Sequence, residues 1–283
     1  MRTPRLPPQI IERPVSDGYV LRARLWRPPG PDRKGLIVYL HGIQSHGRWF
    51  EWSAALLAES GNTVILPDRR GSGLNQPGRG DTPSAQRWLD DLDELVDRAA
   101  LEFAVERLAV VGVSWGGKLA AAWALRSPQR VRRLLLIAPG LFPAVDVGLA
   151  GRVRIGVSLL TRPTRTVPIP LNDPALFTDN PAGRAFIAAD PLKLTHATAR
   201  FFYESARLDR RLVRAAQGAL HADTTLILAG RDRIIRNAPT MRWLTRLAAR
   251  PPAIQIFPDA AHTLEFEPDV TEFGRLIAEW AAR

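Results

Sequence analysis

Short, mostly apolar runs of strand length recur along the chain, and segments with helical periodicity lie between them. The runs are residues 36–40, 63–66, 108–113, 134–137, 225–228 and 254–257, and the clearest helical segments are residues 84–102, 116–126 and 269–282. A continuous apolar run is typical of a strand that is covered on both faces. Strand followed by helix, several times over, predicts an α/β fold with a mostly parallel sheet and helices on both faces.

The N-terminal part of the chain predicts a different strand pairing. Residues 19–26 alternate apolar and polar side chains, and they follow the turn signal Asp17-Gly18. Alternation after a tight turn indicates an antiparallel hairpin, which we expect at one edge of the sheet. With the six apolar runs, the two strands of this hairpin make the predicted sheet eight-stranded.

One long segment breaks this rhythm. Residues 141–220 contain no strand-like run followed by a helix, but they hold a proline-rich stretch from Arg162 to Pro170 and polar helical patterns. We interpret this segment as a helical cap, or lid, inserted into a core made of residues 1–140 and 221–283. An insertion at the carboxyl end of a parallel sheet lies over the place where ligands bind in such folds.

Composition excludes several kinds of chemistry and partner. The chain has no cysteine, so disulfides, thiolate metal sites and a cysteine nucleophile are excluded. Its formal net charge is +11, but the arginines are scattered rather than clustered, which argues against nucleic-acid binding. A solvated basic surface is the simplest interpretation, and attraction to an anionic membrane surface or to acidic substrates is the alternative.

The sequence also indicates a location. The N-terminal residues have no apolar segment of the kind that a signal peptide needs. The longest uncharged apolar stretch, residues 134–145, is too short to span a bilayer. We therefore expect a cytoplasmic protein.

The run at 108–113 leads directly into Gly112-Val113-Ser114-Trp115-Gly116, and an alanine-rich helical segment follows. Gly-x-Ser-x-Gly between a strand and a helix is typical of a sharp turn that exposes a nucleophilic serine. A β-carbon at Gly112 or Gly116 would collide with the neighbouring strand and helix. Ser114 is thus the candidate nucleophile.

A serine hydroxyl needs a general base, which a third group orients. Only one of the five histidines, His262, follows the last predicted strand. Asp232 follows the preceding strand, so the order Ser114, Asp232, His262 is that of a hydrolase triad. Asp223 and Asp259 are rival acids, but Asp223 precedes its strand and Asp259 more naturally orders the loop before His262.

A third strand end supplies a candidate oxyanion hole. His41-Gly42-Ile43 follows the run at 36–40. A carbonyl attacked by Ser114 develops negative charge, which two backbone N–H groups should receive. We expect these donors to be the N–H groups of Ile43 and Trp115. His41 is expected to order the loop, and a direct catalytic role is the alternative.

Three segments resemble the monoacylglycerol lipase and lysophospholipase family. Residues 41–50 are similar to its His-Gly-x-x-x-His-x-x-Arg-aromatic stretch, and residues 68–73 to its Asp-x-Arg-Gly-x-Gly loop. Residues 177–186, followed by Asp190-Pro191-Leu192, resemble its cap, and the likeness covers roughly residues 15–282. The resemblance implies an α/β-hydrolase fold and a serine hydrolase, with His46, Arg48 and Asp68 organising the oxyanion loop, in part by holding Ile43.

The turn at the nucleophile departs from that family, which usually has His-Ser-Met where this chain has Val113-Ser114-Trp115. A bulky ring beside the oxyanion hole changes the acyl pocket, and a Trp after the nucleophile also occurs in proline iminopeptidases. Acyl length, leaving group, cap opening and oligomeric state stay open.

These features predict cleavage of small-molecule or lipid carboxylic esters, in the manner of an esterase, monoacylglycerol lipase or lysophospholipase. The reaction would proceed through an acyl-enzyme on Ser114 without a metal or organic cofactor. One alternative keeps the triad but cleaves an amide, thioester or carbon–carbon bond. The other is an inactive fold that serves as a binding protein.

Overall fold

The computed structural model describes residues 2–30 and 34–283. Its strands are β1 (Gln9–Pro14), β2 (Val20–Trp26), β3 (Gly35–Leu40), β4 (Asn62–Pro67), β5 (Leu108–Val113), β6 (Val131–Ile137), β7 (Thr166–Pro168), β8 (His196–Thr198), β9 (Asp223–Ala229) and β10 (Ala253–Phe257). Its α-helices are α1 (Glu51–Glu59), α2 (Ala85–Phe103), α3 (Trp115–Arg126), α4 (Leu149–Thr161), α5 (Pro181–Ala189), α6 (Ala199–Arg214), α7 (Asn237–Leu247) and α8 (Thr271–Ala282).

Eight strands form the main sheet, in the order β1-β2-β4-β3-β5-β6-β9-β10. β1 pairs with β2 and β2 with β4 in antiparallel fashion, and the remaining neighbours are parallel. This sheet confirms the predicted fold class and the hairpin at its N-terminal edge. Parallel strands bring their carboxyl ends to one edge, so the loops after β3, β5, β9 and β10 open on the same side.

Burial explains why the apolar runs become central strands. Every residue of β4 and of β5 is buried, as expected for strands covered by helices on both faces. α2 buries the predicted stripe of Leu89, Leu92, Val96 and Ala99. α1 was not predicted, because its short sequence does not separate into an apolar and a polar face. Within the described residues, none of the helices combines the length and the apolar character that crossing a membrane requires.

The segment between β6 and β9 contains strands that the sequence did not predict. β7 and β8 form an antiparallel pair, and β8 leads directly into α6, so the expectation of no strand followed by a helix was wrong. Each strand has only three residues and no apolar run, which is why the sequence pattern did not reveal them. Val167 and Ala197, which face each other in this pair, are both buried.

The turn from β5 into α3 leaves no space for a side chain at Gly112 or at Gly116. A Cβ built on Gly112 would lie 2.7 Å from the Ala120 Cβ and 2.7 Å from the Gly116 carbonyl oxygen. A Cβ on Gly116 would meet the carbonyl oxygens of Leu40 and His41. These contacts, which involve three backbone carbonyl oxygens and one Cβ, agree with the steric role predicted for both glycines.

We predict that Gly112→Ala lowers the free energy of unfolding by about 1–3 kcal/mol, because the added methyl overpacks this turn. Urea denaturation monitored by tryptophan fluorescence measures the change. Gly156→Ala is the matched control, since a Cβ at that helical position has no atom within 4 Å. The control should be neutral or stabilise by up to about 1 kcal/mol. Equal effects at the two positions would contradict the steric account.

Candidate active site

Ser114 lies at a backbone turn that L-amino acids rarely adopt, with φ of 51° and ψ of −125°. The Ser114 N–H donates to the Ile137 carbonyl at 2.9 Å, and the Ser114 carbonyl accepts from the N–H groups of Gly117 and Gly140 at 2.8 Å each. Such strain persists where surrounding contacts over-determine the conformation. The turn presents the hydroxyl of Ser114 at the carboxyl edge of the sheet.

Asp232, His262 and Ser114 form a continuous chain of hydrogen bonds. The His262 Nε2 lies 2.9 Å from the Ser114 Oγ, and the His262 Nδ1 lies 2.7 Å from the Asp232 Oδ2. The imidazole and the carboxylate are almost fully buried. An Nδ1–H donated to a carboxylate leaves Nε2 free to accept the serine proton, which is the arrangement of a nucleophile with its base.

Asp232 is itself held in place by backbone groups. Its Oδ1 accepts from the N–H groups of Ile234 and Ile235 at 2.8 and 2.9 Å, so that Oδ2 is directed to His262. The rival acids do not make this contact. Asp223 begins β9, at the strand end opposite to Asp232, and Asp259 is exposed.

The two predicted oxyanion donors lie beside Ser114. A Cβ built on Gly42 would lie 3.4 Å from the Ser114 Cβ, so the loop after β3 packs directly against the serine. In the part of the chain that the structure describes, the Ile43 N–H has no hydrogen-bond acceptor. Trp115 is the first residue of α3, where the N–H lacks an intrahelical partner. Both N–H groups are thus candidates to receive negative charge.

His41 orders this loop as a neutral ring. The Arg69 N–H donates to the His41 Nε2 at 2.9 Å, so Nδ1 carries the proton and donates to the Gly42 carbonyl at 2.8 Å. Burial, and secondarily the Arg69 cation, lowers the pKa of His41 from 6.5 to about 3. These contacts favour the loop-ordering interpretation of His41 over the directly catalytic one.

Arg69 was not singled out from the sequence, yet it contacts the same loop. Its Nη1 donates to the Gly42 carbonyl at 3.0 Å and its Nη2 to the Ile43 carbonyl at 2.9 Å. Its guanidinium carbon also lies 4.5 Å from the centre of the Trp115 ring. Arg69 occupies the variable position of the Asp-x-Arg-Gly-x-Gly loop, so the motif drew no attention to it. The only signal was an arginine placed two residues after the buried end of β4.

The expectation that His46, Arg48 and Asp68 help to hold Ile43 was wrong. Asp68 organises the neighbouring backbone instead, because its carboxylate accepts from the N–H groups of Gly47 and Leu74 at 2.6 and 2.7 Å. Arg48 is exposed and lies over a phenylalanine ring of α5. The resemblance identified loop residues, but it did not indicate which backbone groups they bind.

His46 instead bridges to the segment between β6 and β9. Its Nε2 lies 2.9 Å from the Asp190 Oδ2, and the Trp49 indole N–H donates to the same oxygen at 2.6 Å. Burial alone would raise the pKa of Asp190, but the hydrogen bonds from His46 and Trp49 lower it to about 2. A buried carboxylate therefore joins the loop after β3 to the chain that follows α5.

Ser114, Ile43 and Trp115 border a cavity of about 570 Å³. One part of its lining is apolar and includes Ile43, Ile169, Leu171, Phe202, Ile234 and Ile235. Another part is charged and contains Lys118, Asp146, Arg152, Asp209 and Arg210. Lys118 lies one helical turn after Ser114, and its Nζ is 2.8 Å from the Asp209 carboxylate. Within residues 2–30 and 34–283, no group of three or more His, Cys, Asp or Glu side chains is arranged to hold a metal ion.

The neutral His41 predicts a dependence of stability on pH. The unfolded chain binds a proton at this residue below pH 6.5, whereas the folded chain does so only near pH 3. This residue therefore lowers the free energy of unfolding as pH falls from 6.5, by up to about 1.4 kcal/mol per pH unit.

His41→Gln keeps a donor and an acceptor but does not titrate. The difference in free energy of unfolding between the wild type and this variant should therefore decrease as pH falls, because only the wild type loses stability at this residue. Urea denaturation between neutral and mildly acidic pH measures this difference. Burial raises the pKa of Glu265 to about 7, which acts in the opposite direction, but that effect is common to both proteins. Replacement of the exposed His221 by Gln is the control, and parallel curves for wild type and His41→Gln would contradict the assignment.

Comparison with known proteins gives the family. The model of the Hydrolase_4 family, described as serine aminopeptidase S33, matches residues 31–269. The chain is 26% identical over 250 residues to the uncharacterized protein YnbC of Escherichia coli, covering 88% of this chain but only 42% of that protein. It is 24% identical over 245 residues to a monoacylglycerol lipase of Mycolicibacterium smegmatis, covering 85% of each chain.

A solved structure agrees with the fold over almost the whole chain. A soluble variant of the monoglyceride lipase of Saccharomyces cerevisiae superimposes with a TM-score of 0.87 at 16% identity, covering 99% of this chain and 97% of that one. The predicted resemblance to monoacylglycerol lipases is thereby confirmed. The chain belongs to the serine aminopeptidase S33 family of hydrolases and adopts the α/β-hydrolase fold.

Proposed function

We propose that this protein is a serine hydrolase that cleaves carboxylic esters through an acyl-enzyme on Ser114. The observation that carries the proposal is the hydrogen-bonded chain from Asp232 through His262 to Ser114, which opens on a cavity of about 570 Å³. This unbroken series of hydrogen bonds also favours an enzyme over an inactive binding protein, because all three side chains have the mutual geometry that catalysis requires.

The first half of the reaction forms the acyl-enzyme. His262 removes the proton from the Ser114 hydroxyl as Oγ attacks the ester carbonyl, and the Asp232 carboxylate stabilises the imidazolium that results. The N–H groups of Ile43 and Trp115 receive the negative charge on the carbonyl oxygen. As the intermediate collapses, His262 donates the proton to the departing alcohol.

The second half releases the acid. Water loses a proton to His262 as it attacks the acyl carbonyl, and the same two N–H groups stabilise the second tetrahedral intermediate. Collapse of this intermediate returns the proton to the Ser114 Oγ and frees the carboxylic acid. Every step uses side chains and backbone groups of this chain.

The lining of the cavity supports an amphipathic ester as substrate. Its apolar part suits an acyl chain, and the charged part around Lys118 and Asp209 suits a polar alcohol such as glycerol or a substituted glycerol. The Trp115 ring is fixed beneath this surface, because its indole N–H donates to the Ser205 Oγ at 2.9 Å. The relative from Mycolicibacterium smegmatis is a monoacylglycerol lipase, a hydrolase of this substrate class.

Residues 141–220 act as the cap over a core of residues 1–140 and 221–283. α4 contributes Arg152 and Ile155 to the cavity lining, and α6 contributes Phe202 and Asp209. The core contributes Ser114 and Lys118 from the opposite side. A substrate bound at Ser114 would thus lie between the two parts of the chain.

One face of α4 supports contact with an anionic membrane. Leu149, Val153, Val157 and Leu160 are exposed at spacings of one helical turn, and Leu160 retains 90% of its accessible surface. Exposed arginines lie in and just after the helix at positions 152, 154, 162 and 165, and α4 contains no acidic residue. An apolar stripe with a basic rim is typical of helices that lie in the interface of anionic lipids. Because α4 also lines the cavity, lipid esters would enter beside Ser114.

The family description favours one alternative, the cleavage of aminoacyl amides by the same triad. The Asp209 carboxylate in the cavity is a group that a substrate ammonium can bind. Profiling p-nitrophenyl esters of increasing acyl length against aminoacyl p-nitroanilides compares the two. Higher kcat/KM for the amides would replace the ester proposal. Thioester and carbon–carbon bond cleavage stay open as uses of the same triad.

Substitution of the triad tests the proposal. Ser114→Ala should reduce kcat for p-nitrophenyl esters by about 10⁶-fold, and Asp232→Asn by about 10⁴-fold, because the latter disturbs the tautomer of His262. His221→Gln, at an exposed histidine, is the matched control and should retain wild-type kcat. Undiminished hydrolysis by Ser114→Ala would rule out the acyl-enzyme.

Vesicle sedimentation tests the membrane contact. Binding to phosphatidylcholine vesicles should increase when phosphatidylglycerol is added and decrease with salt. The double substitution Val153→Ser and Leu160→Ser should weaken it by about tenfold or more, because two side chains no longer enter the apolar interface. Leu101→Ser is the control, since Leu101 is equally exposed but lies on α2. Binding that ignores both lipid charge and the α4 substitutions would contradict this contact.

A further inference from the structure

The peptide unit between Gly42 and Ile43 has one end at the oxyanion hole and the other in the protein interior. The Ile43 N–H is the proposed oxyanion donor, and the Gly42 carbonyl belongs to the same planar group. In a trans peptide these two bonds point in opposite directions. A group that fixes the Gly42 carbonyl therefore also fixes the direction of the Ile43 N–H.

Two donors, one neutral and one cationic, bind the Gly42 carbonyl. It accepts from the His41 Nδ1 at 2.8 Å and from the Arg69 Nη1 at 3.0 Å. The second Nη of Arg69 reaches the next carbonyl, that of Ile43, at 2.9 Å. One planar guanidinium thus donates to the carbonyls of both Gly42 and Ile43, on the two sides of the Ile43 N–H. The single ammonium of a lysine does not reproduce this geometry.

The same guanidinium contacts the residue of the second oxyanion donor. The Arg69 Cζ lies 4.5 Å from the centre of the Trp115 ring, within the range of a cation–π contact. Trp88 packs edge-on against that ring, with centroids 4.8 Å apart. Arg69 therefore links the loop after β3 to the first residue of α3, on the two sides of Ser114.

The electrostatic setting of Arg69 is unusual for an arginine that only stabilises a fold. It is 8% exposed, and in the described part of the chain its guanidinium forms no ion pair with a carboxylate. Burial lowers the pKa of Arg69 to about 9, against the opposing effect of Asp68, so it is a cation at neutral pH. Its neighbour Arg70 is paired at 2.7 Å with Asp91. A buried cation without an ion pair is costly, which points to a use of its charge.

We propose that Arg69 is a positioning residue of the oxyanion hole, which orients the Gly42–Ile43 peptide and strengthens the Ile43 N–H as a donor. A cation bound to the carbonyl draws electron density from the amide, which makes its N–H more positive. The effect grows in the transition state, where the N–H meets a full negative charge. This inference rests on the proposed function, because it assigns Arg69 a role in stabilising the oxyanion formed at Ser114.

Steady-state kinetics of Arg69→Met and Arg69→Lys test the role. Loss of a whole oxyanion donor lowers kcat by about 10²–10³-fold. A misoriented and less polarised donor should lose less, so we expect about 10- to 100-fold for Arg69→Met and a smaller loss for Arg69→Lys. KM should change little, because the bound ester is not yet an anion. A trifluoromethyl ketone, which forms an oxyanion on Ser114, should bind more weakly by the same factor as kcat/KM falls.

Arg70→Lys is the matched control. Arg70 is the adjacent buried arginine, but it binds Asp91 and Asp17 rather than the loop after β3. Its substitution should lower the melting temperature while kcat stays within about twofold. If Arg69→Met does not fold, Arg69→Lys, which keeps the charge and the aliphatic stem, decides the question. Wild-type kcat and inhibitor affinity in the folded Arg69 variants, or an equal loss in Arg70→Lys, would overturn the inference.

A second readout separates this inference from the proposed function. If wild-type protein hydrolyses no ester, the proposed function fails, but the rate of Ser114 phosphonylation by a fluorophosphonate still reports on the oxyanion hole. That rate should fall by about tenfold or more in Arg69→Met, because phosphonylation also places negative charge on an oxygen beside Ser114. An unchanged labelling rate, with or without ester turnover, would contradict the role of Arg69.

Discussion

The backbone at Ser114 is held in a conformation that L-amino acids rarely adopt, and the other residues of the site are arranged around this turn. A positive φ at a non-glycine residue persists because the Ser114 carbonyl accepts hydrogen bonds from two N–H groups and because β5 and α3 pack closely at Gly112 and Gly116. Gly112 and Gly116 permit that close packing. The turn leaves Ser114 half-buried at the carboxyl edge of a parallel sheet, where the loops of several strands converge.

That convergence explains how residues distant in the sequence meet. Asp232 follows β9 and His262 follows β10, so the topology brings both to the edge that Ser114 occupies, and backbone N–H groups then direct the Asp232 carboxylate. The loop after β3 reaches the same edge from the other side. Its order depends on the side chains of His41 and Arg69, which act through backbone carbonyls rather than on substrate. The site is thus formed by several loops at the carboxyl edge of the sheet, and local hydrogen bonds order each of the loops that carry Asp232 and Ile43.

The sequence predicts the position of a residue well where local patterns and sheet topology determine it. The strand before Ser114 and the helix after it follow from apolar runs and periodicity, and the structure brings Asp232 and His262 within hydrogen-bond distance, although their catalytic roles stay predictions. The strands β7 and β8 were not predicted, because each has only three residues and no apolar run. The contacts of Arg69 and Asp190 were not predicted either, because the sequence around a residue does not indicate which groups it meets across the fold. The prediction that His46 helps to hold Ile43 was wrong for the same reason.

If Ser114 is the nucleophile, the acyl group of the ester is bonded to its Oγ during turnover. Rapid quenching with acid during hydrolysis of a p-nitrophenyl ester, followed by peptide mass spectrometry, detects this bond. We expect an acyl adduct on the peptide that contains Ser114, formed in step with the first release of p-nitrophenol and lost as the acid appears. Turnover of the ester without any adduct on that peptide, or with the acyl group on a different residue, would contradict this role of Ser114.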